Sequence, residues 1–403
     1  MKRFEVVVLG AGPAGSSVAR RLSRAGVRVL LLERRPLPRD KPCGGGVTVR
    51  AAALAAVDIL PVVERTIYGA RVSLALGPHK DLWHHLPLTY MTQRWRLDHF
   101  LAQLATEAGA ELHDGEGAIS LQEEGTGMVV RTSRDAYRAS VVIGADGANG
   151  LSARFLGARA TYEEAVALEA HVPLPADTLH QWRELVALDL GSIAGGYGWV
   201  FPKGDHLNVG VGGWKYASHL LRARLRHLCQ RYRLPWEKVE GLRGHHLPLR
   251  RPHSPLVGRS LLLVGDAAGL VDPLSGEGIH MAFASAALAA EAVLRFLGGQ
   301  TPHLLGYAEA VERDIGPELA TARMLQEVFH LAPPPFVAVL WHSRHFWRLL
   351  CHLIRGELGY RRMLHLMGPL GHLVPFFAAW AQRRRLTRVR DSLAAFYLQH
   401  RAR

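Results

Sequence analysis

Val264-Gly265-Asp266-Ala267-Ala268-Gly269, running on to Asp272-Pro273 and Gly276-Glu277-Gly278-Ile279, is an acidic, glycine-rich segment that follows the apolar run Ser260-Leu261-Leu262-Leu263. A short apolar run bounded by glycine reads as a buried strand, so the segment predicts a strand that delivers Gly265-Asp266 to a helix start near Ala267. An aspartate there can cap a helix or accept a hydrogen bond from a ligand hydroxyl. The glycines at 276 and 278 then precede a small-residue helix, Ile279 to Leu294, whose N-terminal dipole favours an electron-rich group.

The counterpart lies at the start of the chain, where Val6-Val7-Val8-Leu9 leads into Gly10-Ala11-Gly12-Pro13-Ala14-Gly15 and a helical stretch from Ser16 to Ala25. Gly10 permits a tight turn, Gly12 lets backbone N–H groups approach a pyrophosphate, and Gly15 allows helix to pack closely on strand. A second strand, Arg28 to Leu32, ends at Glu33, 23 residues past Gly10, where a carboxylate would accept ribose hydroxyls. A nicotinamide site needs one such lobe. The added aspartate segment suits a ribityl chain and an isoalloxazine edge, so the pair predicts FAD held by an α/β, Rossmann-like lobe.

Gly10-x-Gly12-x-x-Gly15, Gly144-Ala145-Asp146-Gly147 and Gly265-Asp266 resemble the three signatures of the flavoprotein monooxygenase, or para-hydroxybenzoate hydroxylase, fold. Lys41-Pro42-Cys43-Gly44-Gly45-Gly46, Leu190-Gly191-Ser192, Tyr197-Gly198-Trp199-Val200-Phe201-Pro202-Lys203 and Asn208-Val209-Gly210 are similar to the geranylgeranyl reductase family, over residues 1 to 320. The resemblance implies an FAD-binding domain, an antiparallel-sheet substrate domain and a helical C-terminal region. It further implies a flavin-dependent reductase that saturates isolated double bonds of a geranylgeranyl or polyprenyl lipid, with electrons from NAD(P)H or another carrier. Cofactor contacts are expected at Gly10, Gly12, Ala14, Gly15, Glu33, Arg34, Cys43, Gly44, Gly46, Arg94, Ala118, Asp266, Gly278 and Ile279. Gly150 stands where that family pattern carries serine, and its arginine falls one place before Arg154, so no role is carried to either.

Cys43 sits between a proline and three glycines, a backbone able to lie flat against a ring, with Lys41 near enough to lower a thiol pKa. It can donate a proton to a carbon being reduced, shape the ring's redox properties, or simply be a small residue in a crowded loop. Arg94 opens a helix and can meet pyrophosphate or the ring edge, or pair with Asp98 at i, i+4. Tyr197, Trp199 and Phe201 share one face of a strand and build an aromatic wall for an elongated apolar substrate, or else ordinary sheet core. Cys229 and Cys351 read as packing residues. Extended backbone would send His84 and His85, like His245 and His246, to opposite faces, and no metal site is expected.

With 403 residues and 48% hydrophobic content the chain can bury a large core and divides into lobes. The FAD lobe is expected from 1–70, 90–160 and 255–300, the substrate sheet from 70–90 and 165–250, and a basic helical region from 301–403. Leu220 to Tyr232 reads as an amphipathic helix. Three unrelated cysteines make no disulfide framework, and strand begins almost at Met1, so the cytoplasm is the expected compartment.

Of the net charge of +14, the chain from Leu331 onward carries +10: twelve arginines against Glu357 and Asp391. There the uncharged stretch Met363 to Ala381, broken by Pro369 and Pro375 and followed by Arg383-Arg384-Arg385, reads as an interfacial element on a membrane surface or as a packed helical lobe with a basic face. No nucleic-acid motif accompanies the arginines. Flavin-dependent hydroxylation or halogenation of an aromatic or quinone substrate is the rival chemistry, and a flavin redox sensor the non-enzymatic one.

Overall fold

The computed structural model describes residues 1–401, and the side chains of all of them except Leu370 and residues 388–401. Val6, Val7, Val8 and Leu9 are all buried, as in a strand covered on both faces, and they pair in parallel with Val29–Glu33 on one side and Ala136–Gly144 on the other. This first sheet runs in the order Glu111–Asp114, Val29–Glu33, Lys2–Leu9, Ala136–Gly144, Gly127–Thr132, Ala118–Glu124, with Leu261–Leu263 parallel to Ala136–Gly144. Helices Pro13–Arg24, Arg94–Glu107 and Ile279–Leu297 contribute Val18, Leu22, Ala102, Ala286 and Val293 to its core. Helix Ile279–Leu297 alone among the described helices is long and apolar enough to cross a membrane, but its buried half belongs to this core.

The second sheet runs Glu240–Leu249, Glu163–Pro173, His206–Trp214, Tyr197–Pro202, Leu185–Leu190, Gly69–Leu74, His79–Trp83. It is not purely antiparallel, as expected from the sequence: Leu185–Leu190 lies parallel to Gly69–Leu74. The chain leaves the sheet after Leu74 and His79–Trp83, traverses the first lobe, and returns, and such a long crossover permits a parallel neighbour. Side chains alternate across this sheet. Ala170, Val200, Leu207 and Val209 pack with Leu221, Leu225 and Leu228 of the amphipathic helix Leu221–Arg231, which leaves the neighbouring odd or even positions to the opposite face. A small sheet, Gly46–Thr48, Thr89–Met91 and Arg65–Ile67, joins the two lobes.

Pro333, Pro334 and Pro335 open a helix, Pro333–His342, because a first-turn residue needs no N–H. This helix and Arg344–Arg355 lie on the edge of the second sheet: Val337, Leu340, Trp347 and Cys351 pack with Ala70, Val72 and Leu82. Two indoles fasten them, Trp347 Nε1 donating to the Trp83 carbonyl at 2.8 Å and Trp341 Nε1 to that of Val72 at 3.2 Å. The last helix, Pro369–Arg401, packs Val374, Ala378 and Ala381 inward. The side chains of Arg388, Arg390, Arg401 and Arg403 lie outside the described residues.

Two local expectations are corrected. Gly265-Asp266 opens a single 3-10 turn, Gly265–Ala268, not a helix, because Gly269 at φ +71° turns the chain away and its place against the Tyr162 ring leaves no room for a side chain. His84 and His85 lie just past the strand His79–Trp83, and without extended backbone their rings stand 4.5 Å apart instead of facing opposite ways.

Candidate active site

A single cavity of roughly 960 Å³ runs from the glycine turn at Gly10 to the C-terminal helices. It lies near the upper end of the ~300–1,000 Å³ of small-molecule sites. Of the residues expected to bind cofactor or substrate, all but Gly15 line it. Gly15 lies behind the lining, where a Cβ would come within 1.8 Å of the Gly10 carbonyl oxygen, so it permits the strand–helix contact itself. Gly10 adopts φ +101°, with an added Cβ only 2.5 Å from the Ala145 oxygen.

At this end the structure offers an anion site. Helix Pro13–Arg24 begins at Gly12 with no side-chain cap, so its first N–H groups face the cavity. Arg94 and Arg39 bring guanidinium nitrogens to 3.8 and 3.9 Å of the position a Gly12 Cβ would take. Both arginines are clamped: Arg94 holds Asp98 through two 2.7 Å bonds, and Arg39 bridges Asp98 at 2.6 Å and Glu33 at 2.9 Å. Burial opposes the charge on each, yet the carboxylates outweigh it and raise both guanidinium pKa values, while the arginines hold the buried Asp98 below the usual carboxylate range. Arg94 thus forms the i, i+4 pair with Asp98 and faces the glycine loop as well. Glu33 accepts the Ala11 N–H at 3.1 Å and so ties the strand end to the turn. Arg34, Gly117 and Ala118 follow along the wall, Ala118 as the first residue of the strand Ala118–Glu124.

Past Asp266 the cavity reaches the Cys43–Gly46 loop. Lys41 Nζ bonds Asp266 Oδ2 at 2.9 Å, so its charge is spent on that carboxylate and not on the thiol, as the sequence reading had it. Burial opposes ionisation of Asp266, but Lys41 and His245 hold it far below its ordinary pKa. The ammonium that neighbours Cys43 is that of Lys203, whose Nζ donates to the Gly44 carbonyl at 2.7 Å and that of Thr92 at 2.9 Å; burial pushes it down to about 8. Gly44 has to be glycine: a Cβ would meet the Phe201 ring at 2.9 Å. The segment Asp272–Gly278 is pinned from three sides, by Tyr197 Oη on the Ser275 carbonyl at 2.6 Å, Tyr360 Oη on Asp272 at 2.9 Å, and Arg50 on Glu277 at 2.7 Å. Sequence reasoning missed Arg39, Lys203 and Tyr360, and had Asp98 only as the i, i+4 partner of Arg94 and not as the partner of Arg39. Only Lys203 lay within a motif, as the last residue of the Tyr197 to Lys203 stretch.

Tyr197, Trp199 and Phe201 do form one wall, with successive ring centroids 6.1 and 6.2 Å apart. Beyond it the cavity continues as an arm between the second sheet and the C-terminal helices, lined by Val72, Val186, Leu188, Leu340, Trp347 and Ile354. None of the charged residues of the lining lies on those helices. Among the described residues no three His, Cys, Asp or Glu side chains converge in a metal-holding group.

The donor set and the glycine cradle fit FAD. The FAD binding domain family matches residues 3–188. The chain is 30% identical to the chloroplastic geranylgeranyl diphosphate reductase of Oryza sativa subsp. japonica, over 82% of this chain and 76% of that protein. It belongs to the geranylgeranyl reductase family. Another relative is the menaquinone reductase of Mycolicibacterium smegmatis, 31% identical over 84% of this chain and 87% of that protein. The geranylgeranyl bacteriochlorophyll reductase-like protein of Thermoplasma acidophilum shares the fold, with a TM-score of 0.75 at 24% identity over 88% of this chain and 96% of that one. The protein is therefore an FAD-dependent oxidoreductase of the para-hydroxybenzoate hydroxylase fold. Gly12, the helix start behind it, Arg94 and Arg39 would hold the pyrophosphate; Asp266, the ribityl chain; and Cys43–Gly46, Gly278 and Ile279, the ring.

Proposed function

We propose that this geranylgeranyl reductase-family protein saturates isolated double bonds of a polyprenyl lipid. The observation that carries the reading is the uncharged arm, continuous with the flavin end and roofed by Leu340, Trp347 and Ile354. Bound FAD, reduced by NAD(P)H or another carrier, supplies hydride to one alkene carbon. An unpolarised alkene gives the protein little to grip, so the work of the chain is to hold it in place, keep water out and bring a proton to the second carbon. The Trp199 and Phe201 rings line the passage from the ring-binding loop to the arm, and Gly44 lies directly against them. Cys43 stands at that junction, its Sγ accepting the Gly45 N–H at 3.4 Å. The test is to reduce the flavoprotein anaerobically, add geranylgeranyl lipid and weigh the product: one hydrogen molecule gained per double bond supports the reading. No gain, with fast lipid-stimulated oxygen consumption in air, supports oxygenation or halogenation instead.

A second observation favours attachment to the periphery of a membrane. On helix Pro369–Arg401, Leu373, Phe376, Phe377 and Trp380 are exposed, Phe376 to 70%, and Arg383 and Arg384 follow on the exposed side. An apolar strip beside arginines suits an anionic lipid surface, the source of a prenyl substrate. Arg385 is the exception in the basic triplet: it turns inward to Glu163 at 2.6 Å and Glu327 at 2.7 Å.

A further inference from the structure

The cavity lining contains one acid whose chemistry the reading above leaves unused. Glu33, Asp40, Asp266, Asp272 and Glu277 each stand within ion-pairing reach of an arginine or lysine. Asp146 does not, but it accepts the Ser152 N–H at 3.0 Å and the Ser152 hydroxyl on its other oxygen, and so fixes the start of helix Leu151–Phe155. Glu169 remains. It is only 3% exposed, lies in the strand Glu163–Pro173, lines the cavity, and forms no ion pair among the described residues.

Its surroundings tie it to the reacting end. An indole N–H can only donate, so Trp199 Nε1 bonds Asn208 Oδ1 at 2.8 Å and turns the Asn208 amide N–H to Glu169 Oε2 at 3.1 Å. The Cys43 N–H faces the Glu169 carboxyl and favours its charged form. Glu169 therefore sits where the aromatic wall meets the ring-binding loop. We propose that Glu169 is the acid of the reduction, holding a proton in the resting protein and handing it to the alkene carbon that does not receive the hydride.

The balance is simple. The alkene π bond breaks; hydride, drawn from the external two-electron donor through FAD, forms one C–H bond; the Glu169 O–H breaks and its proton forms the other, leaving carboxylate. Reprotonation comes from solvent past Asp40 and Arg243, an ion pair whose side chains are both about one-third exposed. The charged and titratable groups facing Glu169 are Asp40 and Cys43 from the loop, Arg243 from the adjacent strand Glu240–Leu249, and Lys203 from beyond the wall. Burial pushes the Glu169 carboxyl above its ordinary pKa and Asp40 adds to that, against the pull of the Asn208 and Cys43 donors and of Arg243. Two rival acids are committed elsewhere: the Tyr197 hydroxyl donates to the Ser275 carbonyl, and Lys203 spends two N–H bonds on backbone carbonyls; Cys43 is the third, and a Cys43→Ser protein that reduces the lipid at an undiminished rate removes it.

This assignment rests on the alkene-reductase reading, and two measurements separate them. Infrared difference spectroscopy of the FAD-free and FAD-loaded protein, wild type against Glu169→Gln, should show a protonated carboxyl at pH 7 that the substitution removes; an ionised Glu169 overturns the assignment whatever the lipid assay gives. In single-turnover reduction of geranylgeranyl lipid, Glu169→Gln should bind FAD normally yet lose roughly 10²–10⁴-fold in rate, with Glu169→Asp recovering part of it and moving the pH profile. A Glu169→Gln protein of undiminished rate and unchanged profile overturns the proposal. A wild type with a protonated Glu169 that leaves the lipid untouched overturns the substrate reading, and with it the use of this proton.

Discussion

The two ends of the cavity are shaped by different parts of the chain. At the dinucleotide end the backbone makes the form: Gly10 and Gly15 stand where an added Cβ would come within 3 Å of backbone oxygens, and the charges lining it are mutually bound, Arg39 to Glu33 and Asp98, Lys41 to Asp266. At the far end side chains make the form: Val72, Val186, Leu340 and Trp347 enclose an arm that carries no charge. A wall of backbone cannot give way to one extra carbon, whereas a wall of side chains can exchange volume among its members. The first end should therefore respond to substitution by losing its ligand outright, and the second by changing which ligand fits.

The largest effect is expected from Gly15→Ala, whose Cβ would be forced to within 1.8 Å of the Gly10 oxygen. We expect purified Gly15→Ala protein to carry little flavin by absorbance and to bind added FAD at least about 100-fold more weakly, near 2.7 kcal/mol. Wild-type affinity would show that backbone shape does not govern this end. Leu350→Trp is the matching change in the arm, on the helix Arg344–Arg355. It should leave FAD affinity unchanged, slow reduction of a geranylgeranyl chain roughly 10- to 100-fold, and spare shorter prenyl chains. Equal losses for all chain lengths would mean that the substrate does not use the arm.

The same contrast explains what could be read in advance. Gly10, Gly12 and Gly15 declare themselves because only glycine satisfies such close approaches, and the spacing of those approaches is fixed by a strand–turn–helix contained within ten residues. Tyr197, Trp199 and Phe201 declare their common face through the period of a strand. The roof of the arm has no such signature: Leu340, Trp347 and Ile354 look like the apolar face of any helix, and only tertiary packing brings them to Val72. Arg39 and Tyr360 escaped for a related reason, since each is defined by a partner far along the chain, Arg39 by Asp98 and Tyr360 by Asp272. Lys41 misled because nearness in sequence to Cys43 is no measure of where its Nζ goes.

Lys203 fastens the ring-binding loop from behind, through the Gly44 and Thr92 carbonyls, and its buried charge gives a pH test. Its pKa is pushed by burial from 10.5 to about 8. Between those values the unfolded chain holds a proton that the folded one has released, so stability should rise with pH across the window and the cost of the charge should be constant below it. The rise is on the order of 2–3 kcal/mol. Lys203→Met should abolish it in melts taken from pH 7 to 10, while freeing the Gly44 and Thr92 carbonyls that Lys203 holds. A slope that survives the substitution would place the titrating group elsewhere.

The smallest effect on the folded molecule is expected where the contrast recurs on the outside, along helix Pro369–Arg401. Its inner side is committed: Arg385 lies 4.2 Å over the Trp214 ring and pairs with Glu163 and Glu327, so Arg385→Ala strands the buried Glu327 carboxylate, leaves Glu163 to Arg323 alone, and should lower the melting temperature clearly. Its outer side leaves Leu373, Phe376, Phe377 and Trp380 exposed, with the Arg384 guanidinium 4.7 Å over the Trp380 ring. Replacing Phe376 and Trp380 together by serine removes exposed apolar surface and one exposed cation–π contact, so stability should stay within about 1 kcal/mol of wild type. Sedimentation with vesicles rich in phosphatidylserine should nevertheless fall about tenfold or more, because each lost aromatic forfeits roughly 1.5–3 kcal/mol of burial if fully inserted. Binding undiminished by this pair but abolished by salt would assign the attraction to the arginines alone, and the aromatic strip would then need another partner.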